Sequence, residues 1–482
     1  MSNRIKKDRI QIAIHFILNN PDDLMDILSQ IKKLLLYTGD IVLFYLTLIL
    51  ALLLRYPGRF DGYLFWEQHF WPFTALFGIW ILAFYISGLY DTKSVKNDIH
   101  FYGLVIRTVS IGAGLGVVYF YVFSNRFFNI KPQVTFLVYL AAFSVLFLLW
   151  RRLYNAIAQN QAFKHNVLLV GQGKEMEDLA HFLRHKPYLG YRVAEHLSLA
   201  NGNSPDLFGN DLKNLNLHPI LLEKKIDTVV TTLELHRLPE IVSQFYQNLF
   251  MGISYFDFPT FYERVTGKVP VTTIGQLWFL ENLSENEKKF YEIFKRAAEI
   301  FLTLALGIVG LALSPFVALA IKFDSPGPIF FTQSRSGKSG KVFRAMKFRT
   351  MKVGAEKNGP QWARQDDPRI TRVGKFLRQS RLDEIPQLLN ILKGEMSFIG
   401  PRPERPEFVA ELTRALPFYN ERHLIKPGLT GWAQVNFKYG ASAEDALEKL
   451  QYDLYYIKNR SLLLDLGILL KTVNIVLSGK GQ

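Results

Sequence analysis

Long apolar runs separated by short polar segments dominate the first third of the chain. Four of these runs lie at residues 34–54, 70–90, 103–124 and 133–150. Each is close to the ~20 residues that a helix needs to cross a bilayer. The basic, amphipathic residues 1–33 predict a cytoplasmic or interfacial segment, so the pattern indicates a four-helix transmembrane region over residues 34–152.

Basic residues set the predicted orientation of these spans. They are frequent in the N-terminal segment, between the second and third spans (Lys93, Lys96) and after the fourth (Arg151, Arg152). By the positive-inside rule all three regions face the cytoplasm. The first thirty-odd residues are charged, so no cleavable signal peptide is predicted.

A few polar and aromatic residues within the spans carry further expectations. Asp40 and Arg107 lie near the ends of their spans, where snorkelling lowers the cost of a charge. Trp66, Trp71 and Trp150 are predicted to be interfacial anchors.

Between residues 160 and 280 the pattern changes to short apolar strands that alternate with helices. Strands are predicted at 166–170, 226–232 and 252–257, and a helix at 175–185. This alternation indicates a parallel, Rossmann-like α/β domain. The first strand leads into Gly171-Gln-Gly173, but Met176 replaces the third glycine of a dinucleotide-binding motif. A structural or regulatory domain is therefore favoured over nucleotide binding.

A fifth apolar run, residues 297–321, admits two interpretations. Ser314-Pro315 lies near its middle, and basic residues flank both ends (Lys295, Arg296 and Lys322). Because proline removes a backbone donor and clashes with the preceding turn, these features predict a kinked re-entrant helix over about 295–322, with both ends in the cytoplasm. A straight span is the alternative, and it would carry the rest of the chain outside the cell.

Composition narrows the possible chemistry. The chain has no Cys, which excludes disulfides, thiolate metal sites and Cys nucleophiles. Its formal net charge is +15. Because Lys and Arg flank the apolar runs, binding to an anionic membrane surface explains this charge better than binding to nucleic acid. No nucleic-acid partner is therefore expected.

Residues 381–405 hold the candidate chemistry. An amphipathic helix is predicted there, with Asp383 and Glu384 in its first turn, an end at Gly394 and an apolar core face of Leu382, Ile385, Leu388, Leu389 and Leu392. The proline-fixed loop 400–403 follows and can orient Arg402. A simpler interpretation is that Ser380 and Asp383 form a capping box.

Basic residues recur at nearly every second or third position from Arg335 to Lys352. The segment 337–340 is predicted to turn a hairpin within this run. Arg378, one turn before the acidic pair, and Arg402 complete a predicted anion cradle. Two further helices are predicted at about 443–459 and 461–478, the second packed in a core or lying at the membrane interface.

At this point the sequence resembles the bacterial sugar transferases, or polyprenyl-phosphate hexose-1-phosphate transferases. The stretches that carry the resemblance lie in the family's order over roughly 290–480: Lys295-Arg296, Ser314-Pro315, 327–337, 347–351, 367–371, 382–388, 400–403 and 426–431. The rest of the chain is similar to the long form of the family, with added membrane helices and a middle domain. The implied architecture is a membrane α-helical bundle, an α/β Rossmann-like domain (160–280) and a mainly α-helical catalytic domain with a re-entrant membrane helix (288–482).

The resemblance implies transfer of a sugar-1-phosphate from a nucleoside diphosphate sugar to a polyprenyl phosphate, at the cytoplasmic face of the bacterial inner membrane. Asp383 would be the nucleophile of a covalent phosphosugar intermediate, and Glu384 would position or deprotonate a reacting group. Mg²⁺ would lie near Asp383, and Lys347 and Arg349 match the family motif as phosphate contacts. Membrane lipids are expected partners, and a homo-oligomer through the membrane or middle domain is a guess.

Two departures from the family pattern limit these expectations. Glu299 stands where the family often has Asp, and residues 432–442 replace a common Gly-Arg-Asn continuation, so the sugar cannot be named. Two rival hypotheses stay open. One is a non-catalytic membrane scaffold of polysaccharide assembly, and the other is an NAD(P)-dependent nucleotide-sugar enzyme that uses the middle domain.

Overall fold

The computed structural model of the chain describes most, but not all, of its residues. The described ranges are 21–90, 97–127, 133–158, 164–197, 217–232, 239–248, 251–283, 288–355, 367–437, 440 and 442–478. The predicted segment 1–33 falls largely outside them, as do Lys93 and Lys96. The chain divides into two compact units, Met1–Phe261 and Tyr262–Gln482, which are described separately.

The first unit begins with four long apolar helices. They are α1 (Pro21–Arg55), α2 (a π-helical turn Leu64–Phe70 that continues as Trp71–Ile86), α3 (Ile99–Phe127) and α4 (Gln133–Ala158). Each contains a stretch long and apolar enough to cross a membrane, which confirms the four predicted apolar helices. Aromatic side chains such as Phe44, Trp80 and Phe143 fill the core between them, while Leu, Ile and Val dominate the exposed faces.

A buried ion pair joins α1 to α4. Asp40 and Arg151 are 0% and 2% exposed, and Arg151 Nη2 lies 2.6 Å from Asp40 Oδ2. Trp150 Nε1 donates to the other carboxylate oxygen at 2.9 Å. The prediction that Asp40 snorkels to water was wrong, because its partner lies on a helix more than a hundred residues later. Trp150 belongs to the helix packing, whereas Trp66 and Trp71 are exposed, and their role as interfacial anchors stays a prediction.

A four-stranded parallel sheet follows in the same unit. Its elements are β1 (His165–Val170), α5 (Lys174–His185), β2 (Tyr191–Leu197), α6 (Leu217–Glu223), β3 (Thr228–Thr231), α7 (Pro239–Gln247), β4 (Ser254–Asp257) and α8 (Phe258–Thr266), which continues into the second unit. The strand order is β2-β1-β3-β4. This confirms the three predicted strands and their parallel pairing. The description of this domain as Rossmann-like, and its boundaries, stay predictions.

The second unit is mainly helical. It contains α9 (Gln276–Asn282), α10 (Lys289–Asp324), β5 (Phe330–Ser336), β6 (Val342–Phe348), α11 (Arg372–Gln379), a 3₁₀ turn (Leu382–Gln387), α12 (Leu388–Lys393), β7 (Ser397–Ile399), α13 (Pro406–Ala415), a second 3₁₀ turn (Tyr419–Leu424), β8 (Gly428–Thr430), α14 (Trp432–Asn436), α15 (Ala443–Asn459) and α16 (Leu462–Leu477). Strands β5 and β6 form the predicted antiparallel hairpin. Helices α15 and α16 confirm the two predicted C-terminal helices.

Helix α10 runs unbroken through Ser314 and Pro315. The predicted break at these two residues is therefore not an end of the helix, although Pro315 still removes one backbone hydrogen bond. The Ser314 hydroxyl donates to the Gly310 carbonyl at 2.6 Å. The re-entrant placement of this helix stays a prediction.

One face of α10 packs against the rest of the second unit near the start, the middle and the end of the helix. Near its start, Lys295 Nζ donates to the Ile399 carbonyl at 2.9 Å. In the middle, Gly310 approaches Ile385 so closely that an added Cβ would lie 2.7 Å from it. Near its end, Val317 and Ile321 pack in one apolar cluster with Phe348 and Leu377.

The opposite face of α10 is exposed and apolar. Its most exposed side chains are Phe290, Ile293, Phe294, Phe301, Ile308, Leu311, Phe316 and Phe323, each exposed by more than 60%. Leu389 and Leu392 of α12 are also exposed, which corrects the prediction that both belong to a core face. The buried apolar residues of this helix are Leu388, as predicted, and Ile391.

Candidate active site

Asp383 and Glu384 lie in the 3₁₀ turn that follows α11, and both side chains are buried. Arg381 precedes them in a left-handed conformation, with φ of 59°. The Ser380 hydroxyl donates to the Phe376 carbonyl at the end of α11, at 2.8 Å. The capping box considered from the sequence is therefore not formed. These two acidic residues are called the carboxylate pair below.

Three cations from different parts of the chain converge on Glu384. Its Oε1 lies 2.7 Å from Lys347 Nζ on β6 and 3.0 Å from Arg402 Nη2 in the loop after β7. Arg381 Nη1 lies 3.6 Å from the same oxygen. The predicted residues Lys347, Arg402 and Glu384 are thus brought together.

Asp383 meets different surroundings. The nearest cation on the described residues is Lys347, whose Nζ lies 4.0 Å from Asp383 Oδ2. Among the described residues, Asp383 therefore makes only this one long ion pair, whereas Glu384 makes two at 3.0 Å or less.

The two carboxyl groups respond to this difference in opposite directions. Burial raises the pKa of Asp383, and Lys347 offsets this only in part while the charge of Glu384 adds to it. Burial would also raise the pKa of Glu384, but Lys347, Arg402 and Arg381 together hold it well below its ordinary value. Burial also lowers the pKa of Lys347, with Arg402 opposing its charge and Glu384 favouring it. Glu384 is thus a fixed anion, and Asp383 is the more basic carboxylate.

A tight junction of β7 and β8 holds the loop that carries Arg402. The Gly400 amide donates to the Thr430 carbonyl at 2.9 Å, and the Gly428 amide donates to the Pro401 carbonyl at 2.8 Å. A Cβ on Gly400 would lie 2.5 Å from the Lys426 carbonyl oxygen, and one on Gly428 would lie 2.1 Å from the Gly400 amide nitrogen. The backbones can approach this closely only without side chains.

Arg422 also holds this loop, and no sequence pattern pointed to it. Its Nη2 donates to the Arg402 carbonyl at 3.0 Å and to Asp453 Oδ2 at 2.8 Å. Both Arg422 and Asp453 are buried. Their pairing is visible only in three dimensions, because 31 residues separate them in the chain.

Two predicted phosphate-binding residues make other contacts. Arg349 is 5% exposed and donates to the Ser325 and Pro326 carbonyls at 2.7 and 3.0 Å, which caps the end of α10. Arg378 Nε donates to the Thr350 hydroxyl at 2.9 Å. Phosphate binding by these two residues stays a prediction, and the contacts of Arg349 are those of a structural residue.

The side chains present fit a magnesium ion that is shared with a substrate. Among the residues that the structure describes, no three His, Asp or Glu side chains cluster closely enough to hold a metal ion. Mg²⁺ commonly binds one or two carboxylates and completes its shell with substrate phosphates and water. Asp383 fits such a site, whereas Glu384 is already occupied by three cations.

The chain is similar to a known protein family and to several named proteins. Residues 290–479 match the family model described as bacterial sugar transferase. A UDP-N-acetylgalactosamine-undecaprenyl-phosphate N-acetylgalactosaminephosphotransferase of Aeromonas hydrophila is 43% identical over 228 residues, which are 45% of this chain and 51% of that protein. The chain therefore spans about half the length of this relative.

Two further relatives extend the comparison. A UDP-glucose:undecaprenyl-phosphate glucose-1-phosphate transferase of Xanthomonas campestris pv. campestris is 31% identical over 65% of this chain and 67% of its own length. The exopolysaccharide production protein PSS of Rhizobium leguminosarum bv. phaseoli is 40% identical, and the match covers 39% of this chain but 98% of that protein.

Proposed function

Because the chain belongs to the bacterial sugar transferase family, we propose that it transfers a sugar-1-phosphate from a UDP-sugar to undecaprenyl phosphate and releases UMP. The observation that carries the proposal is the buried carboxylate pair with Lys347 and Arg402 beside it. A buried acidic pair surrounded by cations suits the handling of phosphates. The product would start an exopolysaccharide or another surface glycan.

Asp383 is proposed as the nucleophile. A carboxylate oxygen of Asp383 attacks the phosphorus that bears the sugar, and the bond from that phosphorus to the oxygen of UMP breaks, so UMP leaves with the electron pair. A phosphate oxygen of the polyprenyl carrier then attacks the same phosphorus and Asp383 leaves as a carboxylate. The raised pKa of Asp383 supports this choice, since the more basic carboxylate is the better nucleophile.

Glu384 is proposed to position the cations rather than to move protons. Its lowered pKa makes it a poor general base near neutral pH. By holding Lys347 at 2.7 Å and Arg402 at 3.0 Å, it keeps two donors directed at one place. Those donors would stabilise charge on the transferring phosphate.

Magnesium completes the proposed site. Asp383 would hold it together with the diphosphate of the donor, and the bound ion would screen the negative charge of the phosphates. Arg402 and Lys347 act in the same sense and bring their own positive charge to the donor.

The apolar face of α10 supports a location at the membrane surface. Both halves of α10 contact the rest of the second unit, near Lys295, Gly310 and Ile321. A helix that crossed the bilayer would have to separate one of its halves from these contacts. The exposed face between these contacts would lie in lipid. We propose a re-entrant helix with both ends in the cytoplasm of the bacterial inner membrane.

The direct test is UMP release by the purified full chain in detergent with undecaprenyl phosphate and Mg²⁺. UDP-N-acetylgalactosamine and UDP-glucose are tested first, since two relatives bear those names. We expect UMP with one donor and none from Asp383→Asn, while Glu411→Gln on the exposed surface of α13 keeps full activity.

Trapping separates the covalent route from direct transfer. A radiolabelled sugar phosphate bound to the denatured wild-type chain but not to Asp383→Asn is expected. UMP release that persists in Asp383→Asn would overturn the role of Asp383. No UMP with any nucleotide sugar from a folded protein would favour a scaffold function instead.

A further inference from the structure

A cavity of about 420 Å³ lies beside the first turns of α10. Its walls come from α10, the turn between β5 and β6, the start of β7, the segment before β8 and the end of α15. None of Asp383, Glu384, Lys347 or Arg402 lines it. It is called the cationic pocket below and is separate from the carboxylate pair.

Positive charge exceeds negative charge in this pocket. Five basic residues line it, namely Lys295, Arg296, Lys338, Lys426 and Arg460, against two carboxylates, Glu292 and Glu299. Both carboxylates are already engaged. Arg460 Nε lies 3.1 Å from Glu292 Oε1, and the Phe398 amide lies 3.2 Å from Glu299 Oε1.

Lys338 and Lys426 are the two cations without a counter-ion. In the described part of the chain neither ammonium group forms a hydrogen bond or an ion pair. Burial lowers the pKa of Lys426, and so do the neighbouring charges of Arg296 and Lys338, while Glu299 and Glu292 offset this in part. An anion in the pocket would relieve this repulsion.

We propose that the cationic pocket binds a phosphate group. Phosphate oxygens accept charge-assisted hydrogen bonds from Lys and Arg side chains, and five such side chains line this pocket. Two of the walls, Lys295 and Arg460, are 9% and 4% exposed, so the site is built into the fold rather than scattered on a surface.

Exposed apolar side chains lie at the rim of the pocket. Ile293 lines the pocket and is 66% exposed, and Phe290 and Phe294 beside it are exposed by 78% and 62%. A cavity of 420 Å³ has room for more than the phosphate itself. The phosphodiester of a membrane lipid and a soluble phosphate ester share the chemistry that the pocket recognises. Phosphate binding in this pocket would be independent of the proposed transfer reaction.

The test compares binding of two probes to the full chain in a phosphate-free detergent. Phosphatidylglycerol is followed by native mass spectrometry and inorganic phosphate by equilibrium dialysis. We expect the variant Lys338→Gln/Lys426→Gln to bind at least about tenfold more weakly than the wild type. The matched control Lys341→Gln/Lys393→Gln removes the same charge from exposed positions outside the pocket and should bind like the wild type.

The two probes distinguish the sources. Loss of phosphatidylglycerol binding alone assigns the pocket to a lipid, and loss of phosphate binding assigns it to a soluble ester. Equal binding by the wild type and the double variant, or an equal loss in the control pair, overturns the proposal. Neither lysine has a hydrogen-bond partner among the described residues, so the unfolding temperature of the probe-free double variant should not fall. The single variant Lys426→Gln should shift binding in the same direction.

Discussion

Asp383 and Glu384 are adjacent in the sequence, yet their surroundings differ. Glu384 Oε1 has Lys347 Nζ at 2.7 Å, while the same nitrogen lies 4.0 Å from Asp383 Oδ2. The pKa of Glu384 is therefore lowered and that of Asp383 is raised. Two like groups with divergent pKa values can take separate roles in one reaction.

Lys347→Met should change both the rate and its pH dependence. Losing a donor that stabilises the transferring phosphate is expected to lower kcat/KM by about a hundredfold. If Asp383 is the nucleophile as proposed, it attacks only when ionised, so activity should be lost as the pH falls through its pKa. Lys347 lowers that pKa, so removing it should move the acid limb of the kcat/KM profile to higher pH.

The control for this prediction is Lys341→Met, which removes an exposed charge from the turn of the same hairpin. Its profile should match that of the wild type. A Lys347→Met enzyme that is slower but keeps an unshifted acid limb would show that Lys347 does not act on Asp383.

The sequence and its family resemblance predicted some of the residues that meet at the site, but not all of them. Glu384, Lys347 and Arg402 come together as expected. Arg349 does not join them, because its guanidinium binds carbonyls at the end of α10 that lie more than twenty residues earlier. Arg422 and Asp453 were not predicted, since nothing near either residue in the sequence indicates an ion pair.

At the scale of elements, the proposed contact of the second unit with the membrane rests on α10. Its 36 residues make a helix about 54 Å long at ~1.5 Å per residue, well beyond the ~30 Å of a hydrocarbon core. A straight span would pull the buried contacts of one half out of the second unit. A helix that enters and leaves by the same face keeps them all.

Cysteine labelling tests this topology cleanly, because the chain has no Cys to remove. Lys289→Cys and Lys322→Cys are exposed near the two ends of α10. Both should react with a membrane-impermeant maleimide only from the cytoplasmic side. Arg59→Cys, in the exposed segment between α1 and α2, should react only from the opposite side. Labelling of Lys322→Cys from outside would establish a straight span.

Elements with strong periodicity were predictable, and those set by tertiary contacts were not. The four apolar helices, the β5–β6 hairpin and α15 follow their patterns. Strand β2 was missed, since most of its side chains are half-buried and no apolar run marks it. The helix expected from residue 381 begins instead as a 3₁₀ turn around Pro386.

At the scale of the whole molecule, every candidate site residue lies within Tyr262–Gln482. A chain reduced to residues 262–482 should therefore keep UMP release within about tenfold of the full chain, because a unit with its own core can fold alone. The relative from Rhizobium leguminosarum bv. phaseoli supports this expectation, because 98% of its length matches only 39% of this chain.

The truncated chain is assayed in the same detergent, and its Asp383→Asn variant serves as the blank. A folded fragment that releases no UMP would show that Met1–Phe261 contributes to the chemistry. The succession of apolar helices, a parallel sheet and a mainly helical part was predicted from the sequence, since each part has its own hydrophobic period. The compact boundary near residue 261 was not, because α8 runs across it.

The junction of Gly400 and Gly428 has a consequence for how this protein can change over time. The placement of Arg402 depends on two positions that carry no side chain, so even alanine, the smallest replacement, would push the two backbones apart. Substitutions at exposed surface positions would leave this junction undisturbed. Gly400 and Gly428 cannot be replaced without moving the backbone that carries Arg402, so evolutionary change in this protein is expected at other positions.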